Sequence, residues 1–216
     1  MNTTQMRVAV TAALVALTLT AGCIGGLSTD SSVNAAAVGD AVEQRHAALD
    51  GYDATVSRTV EVGDATMETR AIVTVHGDQR EVMYTAGPNA GETVTSAADS
   101  GPVFTTGPSN TGAVAPASYG ALAETLVRTS NVSVDRVTSY GGHQTAVVEL
   151  TPAADATATG TANVTRTVWV DLNREIPLKV VTSWTTADGQ PATVTVSYDD
   201  VDLHEDNASN TAEVAM

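Results

Sequence analysis

One cysteine and one lysine in 216 residues narrow the chemistry before any motif is sought. A lone Cys23 cannot close a disulfide within the chain, so a disulfide framework is excluded. Positive charge is scarce as well: ten basic residues face 25 acidic ones, for a net charge of −15. A phosphate backbone would be repelled by that balance, which argues against nucleic acid as a partner. Catalytic signatures are missing. There is no Gly-x-Ser-x-Gly, His-Glu-x-x-His, Cys-x-x-Cys or phosphate-binding glycine loop. His46, His76, His143 and His204 are scattered without ligand spacing, so no metal site is expected. The chain reads as a binding or structural protein with no cofactor, not as an enzyme.

What is present first concerns place. Arg7 precedes an uncharged run from Val8 to Gly22. That run is short for a membrane span, which needs about 20 residues, and suits the apolar part of a signal peptide. It ends in Leu19-Thr20-Ala21-Gly22-Cys23. Small residues let the chain enter a peptidase extended, and a cysteine at the new N-terminus offers a thiol for diacylation. Cys23 is therefore the expected lipidation site, and the membrane, reached through that anchor, the expected partner. The alternative is an ordinary signal peptide with an incidental cysteine. No Arg-Arg pair marks twin-arginine export. The chain then divides into a signal peptide over 1–22, a lipidated Cys and tether over 23–33, a folded domain over 34–204 and a disordered tail over 205–216. Asn131, Asn163 and Asn207 open acceptor sequons for N-glycosylation on an exported chain. Few lysines, many Asp and Thr, and small apolar residues match the composition of halophilic archaeal proteins, whose acidic surfaces stay hydrated in high salt. A cation-binding or basic-partner surface is the alternative use of the acidity.

Strand patterning dominates the rest. Val164–Leu203 alternates with period two: Val164, Val168, Val170 and Leu172, then Leu178, Val180 and Trp184, then Val194, Val196 and Tyr198. Asn173–Pro177 and Ala187–Pro191 break the run, with Asp188-Gly189 as a turn signal. Upstream, Tyr52–Val62, Ala65–His76 and Arg80–Ala86 read as strands over turns at Gly63-Asp64 and Gly77-Asp78. Val132–Tyr140 and His143–Thr151 read as a hairpin over Gly141-Gly142. Glu92–Ala97 and Pro102–Thr106 can form a further hairpin or a loop. Two helices are expected. Asn34–Asp50 places Val38, Ala41, Val42 and Leu49 at helical spacing, with Asp50-Gly51 as its stop; Ser118–Arg128 carries Tyr119, Leu122, Leu126 and Val127. Antiparallel strands with helices set to one face make an α+β fold.

Two side-chain groups call for assignment. Asp199, Asp200, Asp202, Glu205 and Asp206 present oxygen ligands suited to a hard cation, or simply an acidic strand end. Arg58, Arg70 and Arg166 alternate with apolar neighbours, which places them on the inner side of the sheet, as cross-strand ion pairs or as a headgroup site.

Three segments carry a family resemblance. Leu49-Asp-Gly-Tyr-Asp-Ala-Thr-Val follows the first helix, Trp169-Val-Asp171 precedes Pro177 by six residues, and Val194-Thr-Val-Ser-Tyr-Asp-Asp-Val201 closes the sheet. In that order and spacing they resemble the LolA/LolB-like lipoprotein carrier superfamily, in a diverged haloarchaeal form, over roughly 33–203. The resemblance implies a curved antiparallel half-barrel with helices packed on its concave face, and a cavity between them that takes acyl chains. The implied lining is Val73, Val75, Leu122, Leu126, Val168, Val170, Val180 and Trp184. Bacterial carriers also place a basic residue and a proline after the second strand; Val75-His76-Gly77-Asp78 stands there instead. Shuttling therefore transfers poorly, whereas the fold and binding of a lipid or other apolar ligand transfer better. The alternative is a cell-envelope structural or protein-interaction module whose core is fully packed and takes no small ligand.

Overall fold

In the computed structural model, residues 33–99, 103–104, 132–150 and 162–205 are described. The chain enters through α1 (Ala35–Ala47). Asn34 caps it from an extended backbone, its Oδ1 accepting the Ala36 amide at 2.9 Å. Val38 and Val42 turn inward and are buried. The expected continuation to Asp50 does not occur. Leu49 and Asp50 already belong to β1 (Leu49–Val62), and Gly51 lies within that strand. A Cβ at Gly51 would overlap the Val75 carbonyl on the neighbouring strand. Its glycine thus serves close strand approach rather than helix termination, a case of tertiary pairing overriding local signals.

Among the described residues eight further strands follow: β2 (Ala65–His76), β3 (Gln79–Ala86), β4 (Thr93–Ala97), β5 (Val132–Tyr140), β6 (His143–Leu150), β7 (Ala162–Asp171), β8 (Ile176–Thr185) and β9 (Pro191–Glu205). They form one curved antiparallel sheet in the order β4-β3-β2-β1-β9-β8-β7-β6-β5, which does not close on itself. Three hairpins turn over two residues, as Val62 pairs with Ala65, His76 with Gln79 and Tyr140 with His143. At the last of these both Gly141 (φ 58°) and Gly142 (φ 86°) adopt the left-handed backbone that a two-residue hairpin loop demands. β4 pairs with β3, and of the expected partner segment over 102–106 only residues 103–104 are described, outside any strand. The turn through 87–91 closes first, with the Gly91 amide donating to the Tyr84 carbonyl at 2.8 Å and the Tyr84 amide to the Glu92 carbonyl at 2.9 Å. Phe104 instead sits buried, edge-on to Tyr84 with ring centroids 6.2 Å apart.

Alternation is re-phased once in β9. Two residues of β1, Asp53 and Thr55, span the same ladder as Asp202 and Asp199, so β9 carries an extra residue, and Asp200 takes a φ of 50°. Such a bulge flips the sequence parity of the inward side chains. Tyr198 points inward before it, and Val201 and Leu203 pack against the core after it. One apolar cluster joins Val38 and Val42 of α1 to β1, β2, β3 and β6 through β9. Among the described residues α1 is the one helix, packed against β5 and β8; the expected second helix, with Leu122 and Leu126, lies outside them.

Candidate functional site: the apolar face of the sheet

Pairing registers lay the inward side chains out in rows. One row runs Met67, Val60, Val194, Thr182, Arg166, Leu150 and Val132, from β2 through β1, β9, β8, β7 and β6 to β5. The next runs Thr69, Arg58, Val196, Val180, Val168, Val148 and Val134. Ala71, Val56 and Tyr198 begin a third, and Val73 pairs with Ala54 and Val82 in a fourth. Of the eight side chains expected to line a hollow, Val73, Val168, Val170, Val180 and Trp184 are buried on this face, and Val75 is half-buried there. The centre of the face is closed to water: Val73, Val168 and Val180 have 0 % exposure. Its margins are not. Met67, Val94 and Val137, which pair into the same face, stand 47 %, 41 % and 41 % exposed.

Three arginines point into this apolar surface. Arg58 and Arg166 lie in neighbouring rows on β1 and β7, three strand spacings or about 14 Å apart along the sheet. Arg80 of β3, opposite Val75, is buried and donates to the Ser96 hydroxyl at 3.1 Å. The inner placement read from alternation holds for Arg58 and Arg166. Arg70 is on the other face, opposite Ser57, paired with Glu68 at 3.0 Å. Arg80 carries the same signal in the sequence, since it alternates with Val82 and Tyr84. Burial holds the Arg58 and Arg166 guanidiniums below the usual arginine value, because the charged form loses solvation. Arg166 Nε donates to the Thr182 hydroxyl at 3.3 Å.

The opposite face differs in chemistry. Glu61, Glu68, Glu81, Glu149, Asp53 and Asp199 lie there, each paired with a Thr. At its β5–β8 end Lys179 Nζ stands 5.0 Å from the Trp169 ring centroid and 5.5 Å from that of Tyr140, a cation–π contact beside the buried Val147. Trp169-Val-Asp171 thereby acquires a structural meaning. Asp171, fully buried, accepts the Asn173 and Arg174 amides at 2.8 and 3.2 Å and shapes the turn into β8. Its second oxygen lies 2.9 Å from His143 Nδ1; the distance suits an ion pair, but the alignment gives that oxygen no hydrogen bond.

Of the acidic residues considered for a cation, Asp206 lies outside the described residues. Asp199 and Asp202 face Thr55 and Asp53, and Glu205 pairs with Arg45 at 2.7 Å. Among the described residues no three His, Cys, Asp or Glu gather at metal distance. A notch lined by Tyr52, Ile176, Pro177, Tyr198, Val201 and Leu203 has about 10 Å³ of free space, room for one water. Asn163 is exposed at the start of β7. Cys23, Asn131 and Asn207 lie outside the described residues.

No protein-family model and no curated protein matches the chain. Several solved structures are similar at a distance. A LolA superfamily protein from Nitrosomonas europaea is 15 % identical with a TM-score of 0.35, over 81 % of this chain and 95 % of that one. The lipoprotein LppX of Mycobacterium tuberculosis is 11 % identical with a TM-score of 0.39, over 76 % and 92 %. MucB, in the Pseudomonas aeruginosa MucA/MucB complex, is 12 % identical with a TM-score of 0.43, over 81 % and 59 %. No residue role, ligand or partner passes from those proteins to this chain.

Proposed function

We propose that this chain is a lipoprotein held through Cys23 on the extracytoplasmic face of the cell membrane, where it binds a lipid or other apolar ligand on the inner face of a LolA-like half-barrel. It acts by binding and needs no cofactor. The observation that carries the reading is the unequal shielding of that face. α1 lies over the β5–β8 side, while Met67, Val94 and Val137 at the margins meet water. Apolar side chains that share one face with the core, yet remain wet at its rim, are where an apolar ligand gains most by entering. A ligand reaching Val73 or Val168 must part packed side chains, so binding is coupled to opening of the layer above.

Zero exposure at Val73, Val168 and Val180 favours the second reading, a packed cell-envelope module that meets only other proteins. Mass spectrometry of lipids co-purified from native membranes separates the two. A stoichiometric lipid, displaced by an added fatty acid, supports the binder; lipid-free protein that takes up no apolar dye supports the module. The anchor has its own test. Cys23→Ser should leave an unprocessed precursor or shed protein into the medium, and normal cleavage with detergent-phase partitioning would sink it. The halophilic setting predicts a melting temperature that climbs from low salt to molar KCl, as screening relieves fifteen excess negative charges; a flat profile counts against it. Glycans at Asn131, Asn163 or Asn207 would add mass to the intact protein.

A further inference from the structure

Charge on this sheet is sorted against the composition of the chain. Acids outnumber bases 25 to 10. Yet the two rows through Arg166 and Arg58 pair fourteen positions, of which two are arginine and none is acidic. The acids of the central ladders face the other way, opposite threonines. An acidic protein has no shortage of carboxylates to pair with an inward guanidinium, yet the described ones leave Arg166 aside. Among the described residues no carboxylate lies within ion-pair distance of Arg166, whose one polar partner is the Thr182 hydroxyl. Arg166 is a half-buried cation whose neighbours along and across the inner face include Leu150 and Val168, both in the apolar core. Desolvation opposes the charge there, and burial depresses its proton affinity.

A guanidinium kept at such a cost suits a planar or tetrahedral anion that arrives with its own apolar tail. The fork of Nη donors matches carboxylate or phosphate oxygens, and a neighbouring apolar face matches a chain. The position fits as well. Arg166 lies one row in from that of Ala192 and Trp184, beside the turn that joins β8 to β9, and Met67 at the wet end of its own row is 47 % exposed. We infer that Arg166 is the headgroup-binding residue for an amphiphile with a single anionic head, carboxylate or phosphate, whose hydrocarbon tail lies along the Val168–Val180 surface. Arg58 lies one row further in on the same face. The inference rests on the lipid-binding reading and narrows it to one class of ligand.

The experiment is displacement of the neutral dye N-phenyl-1-naphthylamine from the full folded protein. Four competitors are used below their own aggregation concentrations: oleate, oleyl alcohol, hexadecyl phosphate and hexadecanol. Wild type should bind each anion at least tenfold more tightly than the alcohol of the same chain. Arg166→Leu should erase that preference while leaving the alcohols unchanged, and Arg166→Lys should keep part of it. Whichever anion gains more identifies the head as carboxylate or phosphate. Melting of Arg166→Leu at or above the wild-type temperature shows that a lost preference is not lost folding. Equal binding of anion and alcohol to wild type overturns the anionic head and leaves the lipid-binding reading standing. An Arg166→Leu protein that keeps the preference overturns the assignment to Arg166. Failure of all four to displace the dye overturns the inference together with the reading beneath it.

Discussion

Strands β6–β9 and strands β2–β4 draw on the same small alphabet of Val, Thr and Ala, but they are shielded very differently. In the first limb Val147, Val148, Val168, Val170, Ile176, Val180 and Val194 are all below 2 % exposure or at it. Burial there is two-sided. α1 lies over β8 on one face, and on the other Val147 is buried near the Trp169–Lys179–Tyr140 contact. In the second limb exposed residues appear on both faces: Met67 and Val94 on the inner side, Ile72 and Met83, a cross-strand pair, on the outer. Among the described residues the helix packs against β5 and β8, whereas strand propensity is alike in both limbs and does not separate them. The β6–β9 limb is the more fully buried, and the β2–β4 limb is where the sheet remains accessible.

The most forceful way to break that contrast is a matched pair of charge insertions. Val168→Asp places a carboxylate among fully buried valines and should cost about 3–5 kcal/mol or prevent folding. Val94→Asp, on the same face but exposed, should cost about 0.5 kcal/mol or less. Urea midpoints of the two variants read the difference, and equal costs would mean that the limbs are packed alike. Gly51→Ala sharpens it from the shared strand β1. The added methyl meets the Val75 carbonyl, so the β1–β2 ladder must part locally, at about 2–4 kcal/mol. Hydrogen exchange should then quicken in β2 and β3 more than in β7 and β8; uniform quickening says the limbs do not open separately. Tyr198→Phe should have the smallest effect, within about 1 kcal/mol at neutral pH. Burial, with Tyr52 beside it, raises the Tyr198 phenol well above its usual value. The folded state therefore keeps a proton that the unfolded chain gives up. Its stabilising contribution is whole below pH ~10 and is lost as pH climbs beyond that value. The Phe variant should lack that alkaline loss, and an unchanged alkaline limb would show that Tyr198 titrates in contact with water.

Much of this was legible, and for local reasons. Gly63-Asp64, Gly77-Asp78 and Gly141-Gly142 announce their hairpins because a two-residue loop requires specific backbone angles, which few residues supply. Alternation from Val164 to Tyr198 assigns the inner face because the pleat has a period of two. What was missed depends on partners far along the chain. Leu49 fits a helical stripe by spacing, but its backbone pairs with Glu205, and β1 claims it. The doublet Asp199-Asp200 hides a bulge that moves the inward positions to Val201 and Leu203. The margin of the apolar face was equally invisible, since periodicity marks Val94 and Val168 alike as inward and says nothing of what lies over them. Arg70 was misplaced by one step of the same alternation, and Arg166 was rightly placed by it.

Sheet order also carries a consequence in time. Seven of the eight ladders join strands that follow one another along the chain; the exception is β1 with β9. β1–β4 can zip as one meander and β5–β9 as another, with the chain between β4 and β5 running from one to the other. Only the β1–β9 ladder, with Val62 against Ala192 at one end and Leu49 against Glu205 at the other, joins them. Its closure cost is that of a long loop, met before any of its contacts are rewarded. Refolding should therefore be limited by that one seam. Until it forms, β1 and β9 each present a long Val- and Thr-rich edge, and it is there that a chain emerging slowly is most open to pairing with another copy.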